Sequence, residues 1–219
     1  MKNWLKKSWS KNNQETNPAL NEQPSLLKAT TLSAKDIGLF KWDSNYNPDL
    51  LTISNNEQTI EWGPRKPQYK AKYYPPAWVP ALTLSHLHSS RFQWDFVVEE
   101  MANAQIGIGF MLLWDIGPDW GFFGYLGASD TAWSYDPSTG DVVSNTKSIQ
   151  GQLPTFVDRH RGTVTVHLDL PRHTEGTARF SINGTDTQPI LLPQSSVVLP
   201  AACFLKESQK VRLANFQQT

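Results

Sequence analysis

The sequence has very little cysteine: Cys203 is the single one among 219 residues. One cysteine cannot form an intramolecular disulfide, so the fold has to be stabilised by its core, and a reducing compartment is the simpler assumption. The paired cysteines of structural zinc sites and redox centres are excluded for the same reason. We therefore expect a cytoplasmic protein.

The sequence also lacks an excess of charge of either sign. Lysine plus arginine and aspartate plus glutamate both number 20, which gives a formal net charge of +0 at pH 7. Nucleic-acid-binding domains carry a basic surface that neutralises phosphates, and no such excess is present here. We expect no nucleic-acid partner.

Long hydrophobic runs are missing as well. The longest uncharged apolar run, residues 106–114, is interrupted by glycines and ends before Asp115, far short of the roughly 20 apolar residues that span a bilayer. The first residues contain no apolar core of a secretory signal peptide. The sequence thus predicts neither a transmembrane segment nor a secretion signal.

Residues 1–35 differ in composition from the rest of the chain, because lysine and small polar residues replace the aromatic residues found downstream. We expect a basic and polar tail or linker here, followed by one folded domain over residues 36–219. Trp4, Leu5 and Trp9 lie among lysines and suggest docking to a partner or to a membrane surface. A helical projection does not separate an apolar face, and the low hydrophobicity favours a solvated arm.

What the sequence does contain is aromatic residues at a period of two. Residues 91–100 show it most clearly, with Phe92, Trp94, Phe96 and Val98 alternating with polar positions. Alternate residues of a strand share one face, so these four predict a face that packs on the core. Trp133 and Tyr135 predict a second core face, and residues 136–140, DPSTG, predict the turn that follows it.

Proline and glycine divide the chain in ways that limit the fold. Five prolines between residues 64 and 80 predict a loop or an edge strand, because proline cannot donate a ladder hydrogen bond. Gly107 and Gly109 lie inside an apolar run and indicate close sheet packing rather than a phosphate cradle. Asn183 and Gly184 predict a two-residue hairpin turn, which we prefer to a glycosylation site because no secretion signal is seen.

Catalytic motifs such as GxSxG, HExxH and the P-loop do not occur. Asp95 and Glu99 share the polar face of the strand at 91–100, an arrangement that invites comparison with glucanases built on β-sandwiches. Val97 interrupts the pair, and four residues at the rise of a strand separate them by about 13 Å. Paired glycosidase carboxylates lie about 5 to 9.5 Å apart. We therefore expect no enzyme.

No cofactor is expected, since none of the binding motifs occurs. His86 and His88 would share a strand face, but no cysteine or carboxylate stands beside them to complete a metal site. We interpret them as ordinary polar-face histidines and predict no bound metal.

Residues 163–184 contain TVTVHLDL and then GTARFSING, two segments that lead up to the turn at Asn183 and Gly184. They resemble the "LDL...GT..FS.NG" hairpin of the SPRY domain family. Five further segments follow the family's order: 91–98 resembles "HYWEVEV", 106–109 "VGVG", 125–135 "LGSD..SWGYD", and 199–202 and 211–216 the closing "LYPAVS" and "VRLNFG". The resemblance covers about residues 40–216 and rests on several motifs in sequence order.

The resemblance implies an all-β fold, a two-sheet antiparallel β-sandwich of the concanavalin A-like jelly-roll type. It also implies a non-catalytic module that binds a protein or peptide through loops at one end of the sandwich. In the SOCS-box members, peptide contacts come from positions that align with Phe122, Tyr125 and the strand end at 205–207. Lys206 stands where that subfamily has tryptophan, so its Asn-rich ligand is not carried over. The candidate partner-binding residues are Phe122, Tyr125, Leu205, Lys206 and Glu207, with Arg91 at the rim.

Two other functions remain alternatives. The first is a glycan-binding lectin, because the sandwich resembles lectin folds and exposed tryptophan or tyrosine rings stack on sugars. The second is a glycoside hydrolase on the same scaffold, which the carboxylate spacing disfavours. At the candidate site itself, Phe122 and Tyr125 could instead cap the sandwich as packing residues.

Overall fold

The computed structural model describes residues 40–42, 51–63, 76–78, 90–102, 105–112, 126–151, 153–158, 160–171, 173–194, 196 and 198–218. The predictions made for Trp4, Leu5, Trp9, Phe122 and Tyr125, and for His86 and His88, lie outside these residues. So does the boundary between tail and domain. They therefore remain predictions.

Fourteen β-strands make up the regular structure of the described residues, and no helix occurs among them. In chain order they are β1 (Leu51–Ser54), β2 (Thr59–Trp62), β3 (Pro76–Trp78), β4 (Ser90–Glu100), β5 (Ile106–Leu112), β6 (Ala132–Asp136), β7 (Asp141–Ser144), β8 (Lys147–Gln150), β9 (Gly162–Leu170), β10 (Gly176–Ile182), β11 (Thr185–Asp186), β12 (Ile190–Leu192), β13 (Val198–Phe204) and β14 (Lys210–Gln218). Their alternating burial follows from the period of two seen in the sequence.

The strands form two antiparallel sheets, as predicted. The eight-stranded sheet has the order β1-β2-β14-β4-β9-β10-β11, and β12 pairs with the outer edge of β10. The six-stranded sheet has the order β3-β13-β5-β6-β7-β8. Strand β3 takes an edge position, where its proline is tolerated, so this part of the proline-rich segment forms the predicted edge.

The core lies between the two sheets and contains the side chains that the alternation indicated. Phe92, Trp94, Phe96 and Val98 of β4 are all buried there. From the other sheet, Trp133 stacks on Phe110 with ring centroids 5.3 Å apart, and Phe110 reaches Phe180 of the first sheet at 5.8 Å. Each such ring stabilises the fold by about 1.5–3 kcal/mol through burial alone.

Both predicted turns form at the residues that the sequence indicated. Gly140 ends the turn after β6 with a φ of 75°, and Asp136 accepts a hydrogen bond from the Ser138 backbone at 2.9 Å. Asn183 and Gly184 have φ values of 51° and 77°. Two consecutive left-handed residues make the type I′ turn that matches strand twist, so the hairpin prediction is confirmed.

The outer faces of the two sheets differ. On the six-stranded sheet, the outward side chains of β13 (Leu199, Ala201 and Cys203) are buried as well. Burial raises the pKa of Cys203 to about 12, against a weaker opposing effect of a backbone hydrogen bond from Leu126. The thiol is thus a protonated packing group. The eight-stranded sheet presents a polar outer face instead.

Candidate functional site

Three connections between strands meet at one end of the sandwich. Strand β14 begins beside the end of β4, since Lys210 pairs with Glu100, and β9 begins there too, since Gly162 pairs with Val98. In the other sheet β13 ends where β5 begins, with Phe204 opposite Ile106. We call this surface the loop end and define it as residues 101–102, 105, 153–158, 160–161 and 205–209.

Gln209 ties the loop end together. Its buried side-chain amide accepts hydrogen bonds through Oε1 from the backbone N–H groups of Leu205 (2.7 Å) and Lys206 (3.0 Å). Through Nε2 it donates to the carbonyls of Met101 (2.9 Å) and Gln105 (2.8 Å). A primary amide has two donors and two acceptor lone pairs, so this side chain is fully used. Gln209 thereby joins the β13–β14 connection to the β4–β5 connection.

Gln209 is a site residue that no sequence pattern predicted. A glutamine at a strand start carries no periodic or motif signal, and its four partners lie in segments about 100 residues apart in the chain, as the sequence separations of 108 and 104 show. Backbone hydrogen bonds complete the attachment: Ser208 N donates to Trp62 O at 2.8 Å, and Trp62 N donates to Gln209 O at 3.0 Å. The loop is therefore held on two sides.

Leu205, Lys206 and Glu207 lie in the loop between β13 and β14, at the loop end. Leu205 is half-buried, and Lys206 and Glu207 are exposed. Arg91 is not with them. It lies at the opposite end of β4, nine residues from Glu100, or about 30 Å at the rise of a strand. Its assignment to the rim is wrong, because an antiparallel strand delivers its two termini to opposite ends of the sheet.

Val157 is the most exposed large apolar residue of the described chain, with 92% of its surface accessible. A turn made by its neighbours holds it in place. Arg161 donates to Asp158 through its backbone (3.2 Å) and its Nε (3.2 Å), and His160 N donates to Asp158 Oδ1 at 3.0 Å. Phe156 on the other side is buried. Val157 therefore projects from an ordered turn. It could not be predicted from the sequence, because an isolated valine forms no periodic pattern or motif.

The segment before Val157 is fastened to the core. The Tyr135 hydroxyl donates to the carbonyl of Pro154, and Asn183 Nδ2 donates to the carbonyl of Thr155 at 3.2 Å. Burial, and secondarily the charge of Asp136, raises the pKa of Tyr135, so the phenol stays a protonated donor. The turn is linked to the Gln209 network as well, because Met101 N donates to His160 O at 2.9 Å.

Comparison with known proteins identifies the fold. No family model and no curated protein matches the sequence. Among solved structures, a human SPRY domain has a TM-score of 0.53 and 10% identity, and the match covers 75% of this chain and 94% of that one. The chain has the SPRY fold. The TRIM65 PSpry domain is similar, with a TM-score of 0.52, 14% identity, and coverage of 80% of this chain and 91% of that one.

The polar face of this SPRY sandwich holds the two carboxylates considered for catalysis. Asp95 accepts hydrogen bonds from Thr165 Oγ1 and Asn215 Nδ2, both at 2.6 Å, and Glu99 accepts one from Arg212 Nε at 2.8 Å. Both carboxylates thus have partners within the sheet.

We expect no hydrolysis of β-glucans; turnover that disappeared in Asp95→Asn or Glu99→Gln would contradict this expectation.

A metal site is not apparent in the part of the chain that the structure describes, where no three histidine, cysteine or acidic side chains form a group suited to a metal ion. Among the same residues we find no helical segment that could span a lipid bilayer.

Proposed function

We propose that this protein is a non-catalytic interaction module and that its loop end binds a protein or peptide partner. The observation that carries the proposal is Val157, an apolar side chain 92% exposed on a turn that hydrogen bonds hold in place. The similarity of the fold to SPRY domains supports the same kind of function.

The energetics of the loop end favour recognition. The Gln209 network and the Asp158 turn order these loops before any partner arrives, so little conformational entropy remains to be lost on binding. Covering the Val157 side chain would contribute about 1.5 kcal/mol. Lys206 and Glu207 are exposed at the same end of the sandwich and carry opposite charges; such rim charges orient a partner more than they add affinity.

A glycan ligand is less well supported. Sugar recognition would require an exposed ring for stacking, and the large hydrophobic residues exposed in the described chain are Ile149, Val157 and Leu191, none of them aromatic. An isolated aliphatic side chain suits a protein partner, which can enclose it in an apolar pocket.

The proposal predicts that Val157→Asp weakens partner binding at least about tenfold, or 1.4 kcal/mol, because a charge would be buried against an apolar pocket. The partner is captured with the full chain, identified by mass spectrometry, purified and titrated against each variant. The melting temperature should hardly change, because surface substitutions usually alter stability by less than about 0.5 kcal/mol.

Leu191→Asp is the matched control, because Leu191 is also an exposed aliphatic residue, at 65%, but lies on β12 away from the loop end. It should leave the affinity unchanged. The proposal fails if Val157→Asp binds as tightly as the natural sequence, or if only Leu191→Asp loses binding. Binding on a glycan array without any protein partner would favour the lectin alternative.

A further inference from the structure

A groove of about 420 Å³ crosses the outer face of the eight-stranded sheet, at the end opposite to the loop end. Strands β4, β9 and β10 contribute most of its polar lining: Arg91, Gln93, His167, Asp169, Thr177 and Arg179. Arg91, which the structure removes from the loop end, thus lies in a concave site of its own. This surface is separate from the loop end and does not depend on the function proposed there.

Strand register arranges the groove as two rows of side chains. In the first row Arg91 lies beside Asp169, and Asp169 lies beside Thr177. In the second, Gln93 lies beside His167 and His167 beside Arg179. Two strand spacings separate Arg91 from Thr177, about 10 Å, which is the length of roughly three residues of extended peptide.

The charge of the groove favours an anionic ligand. Two arginines and one aspartate line it, and since Arg91 Nε donates to Asp169 Oδ2 at 3.0 Å, the lining keeps an excess of one positive charge. Arg179 pairs through Nε at 3.3 Å with Asp186, which does not line the groove. His167 adds no charge at pH 7, since burial and then the charge of Arg179 lower its pKa.

Both arginines keep donors available. In the described part of the chain each guanidinium makes its ion pair through Nε, and neither terminal nitrogen takes part in another. The side chain of Arg91 is 73% exposed. A guanidinium matches a carboxylate in shape and charge and binds it through parallel hydrogen bonds.

We propose that this groove binds an extended acidic peptide segment, with a ligand carboxylate held by Arg91 and Arg179. The amides of Gln93 and Gln217 and the hydroxyl of Thr177 are groups that pair with peptide N–H and C=O. An acidic sugar fits less well, because the aromatic ring in the lining, Phe92, is buried and offers no stacking surface.

The test uses the full chain and two fluorescent hexapeptide libraries, one with Asp or Glu fixed at a single position and the other with Asn or Gln at that position. Fluorescence polarisation should show about tenfold tighter binding of the acidic library, since charge-assisted pairs are roughly twice as strong as neutral ones. Arg91→Gln and Arg179→Gln should each remove most of that preference. Both variants should fold normally, because exposed ion pairs contribute only about 0–1 kcal/mol.

Arg212→Gln is the matched control, because Arg212 is also paired on this face of the sheet, with Glu99 at 2.8 Å, but does not line the groove. It should keep the preference for the acidic library, as should Val157→Asp at the loop end. Equal binding of the two libraries overturns the proposal, and so does an equal loss in Arg212→Gln, which would indicate diffuse electrostatic attraction. Binding of a sialylated oligosaccharide that depends on Arg91, without binding of acidic peptides, also overturns it.

Discussion

Replacing Gln209 with leucine is expected to lower the free energy of unfolding by roughly 3 kcal/mol, because leucine leaves four backbone groups without their buried partner. The groups affected are the N–H of Leu205 and Lys206 and the carbonyls of Met101 and Gln105. Chemical denaturation measures the loss. Hydrogen exchange of the Leu205 and Lys206 amides should accelerate as well, because their acceptor is gone.

Gln150 provides the control for this experiment. Its side chain also makes two hydrogen bonds to backbone, donating to Gln188 O at 3.0 Å and accepting from Gln188 N at 2.9 Å, but in a solvent-accessible position. Once leucine replaces the amide, water can form hydrogen bonds with the Gln188 backbone groups. Gln150→Leu should therefore lower the free energy of unfolding by no more than about 1 kcal/mol. If the two substitutions cost the same, Gln209 is not the residue that holds the loop end.

Replacing Gly109 with alanine is expected to lower the free energy of unfolding by about 3 kcal/mol or more, or to prevent folding. Backbone atoms already occupy the space that the added methyl group needs. An ideal Cβ at this position would lie 2.0 Å from the carbonyl oxygen of Trp133 and 3.2 Å from the Cα of Ser134. Those atoms belong to the neighbouring strand β6 and cannot turn away as a flexible side chain would. Thermal and chemical denaturation of Gly109→Ala measure the effect.

Gly184→Ala separates steric overlap from backbone strain. No atom lies within 4 Å of the Cβ that alanine would add at Gly184, yet the residue has a φ of +77°. The left-handed conformation costs an alanine roughly 1–2 kcal/mol, so this variant should fold and lose only that much. A Gly109→Ala protein as stable as Gly184→Ala would show that β5 and β6 can separate freely.

Features that depend on a few neighbouring residues could be predicted from the sequence. Alternation along β4 identified its buried face, because adjacent side chains of a strand point to opposite sides whatever the strand pairs with. The turn at Asn183 and Gly184 depends only on those two residues. The order of the motifs was enough to predict the SPRY fold, which the solved structures confirm.

Site residues were harder to predict, as Arg91 shows. The sequence indicates that Arg91 starts a strand, but not which loops share that end of the sheet. Pairing with Asp169 of β9 places it in a groove far from residues 205–209. Leu205, Lys206 and Glu207 were placed by resemblance, and their part in binding remains a prediction, as does that of Phe122 and Tyr125.

The sequence by itself therefore determined strands such as β4, β9 and β10, the buried faces of β4 and β6, two turns and the sandwich fold, because each follows from a few consecutive side chains or from motif order. Only the tertiary structure decided which connections meet at the loop end, that Gln209 bonds to Met101 and Gln105, and that Val157 stays outside the core. Gln105 and Gln209 are 104 positions apart in the chain. Contacts over such separations depend on strand order and register, which no local pattern encodes.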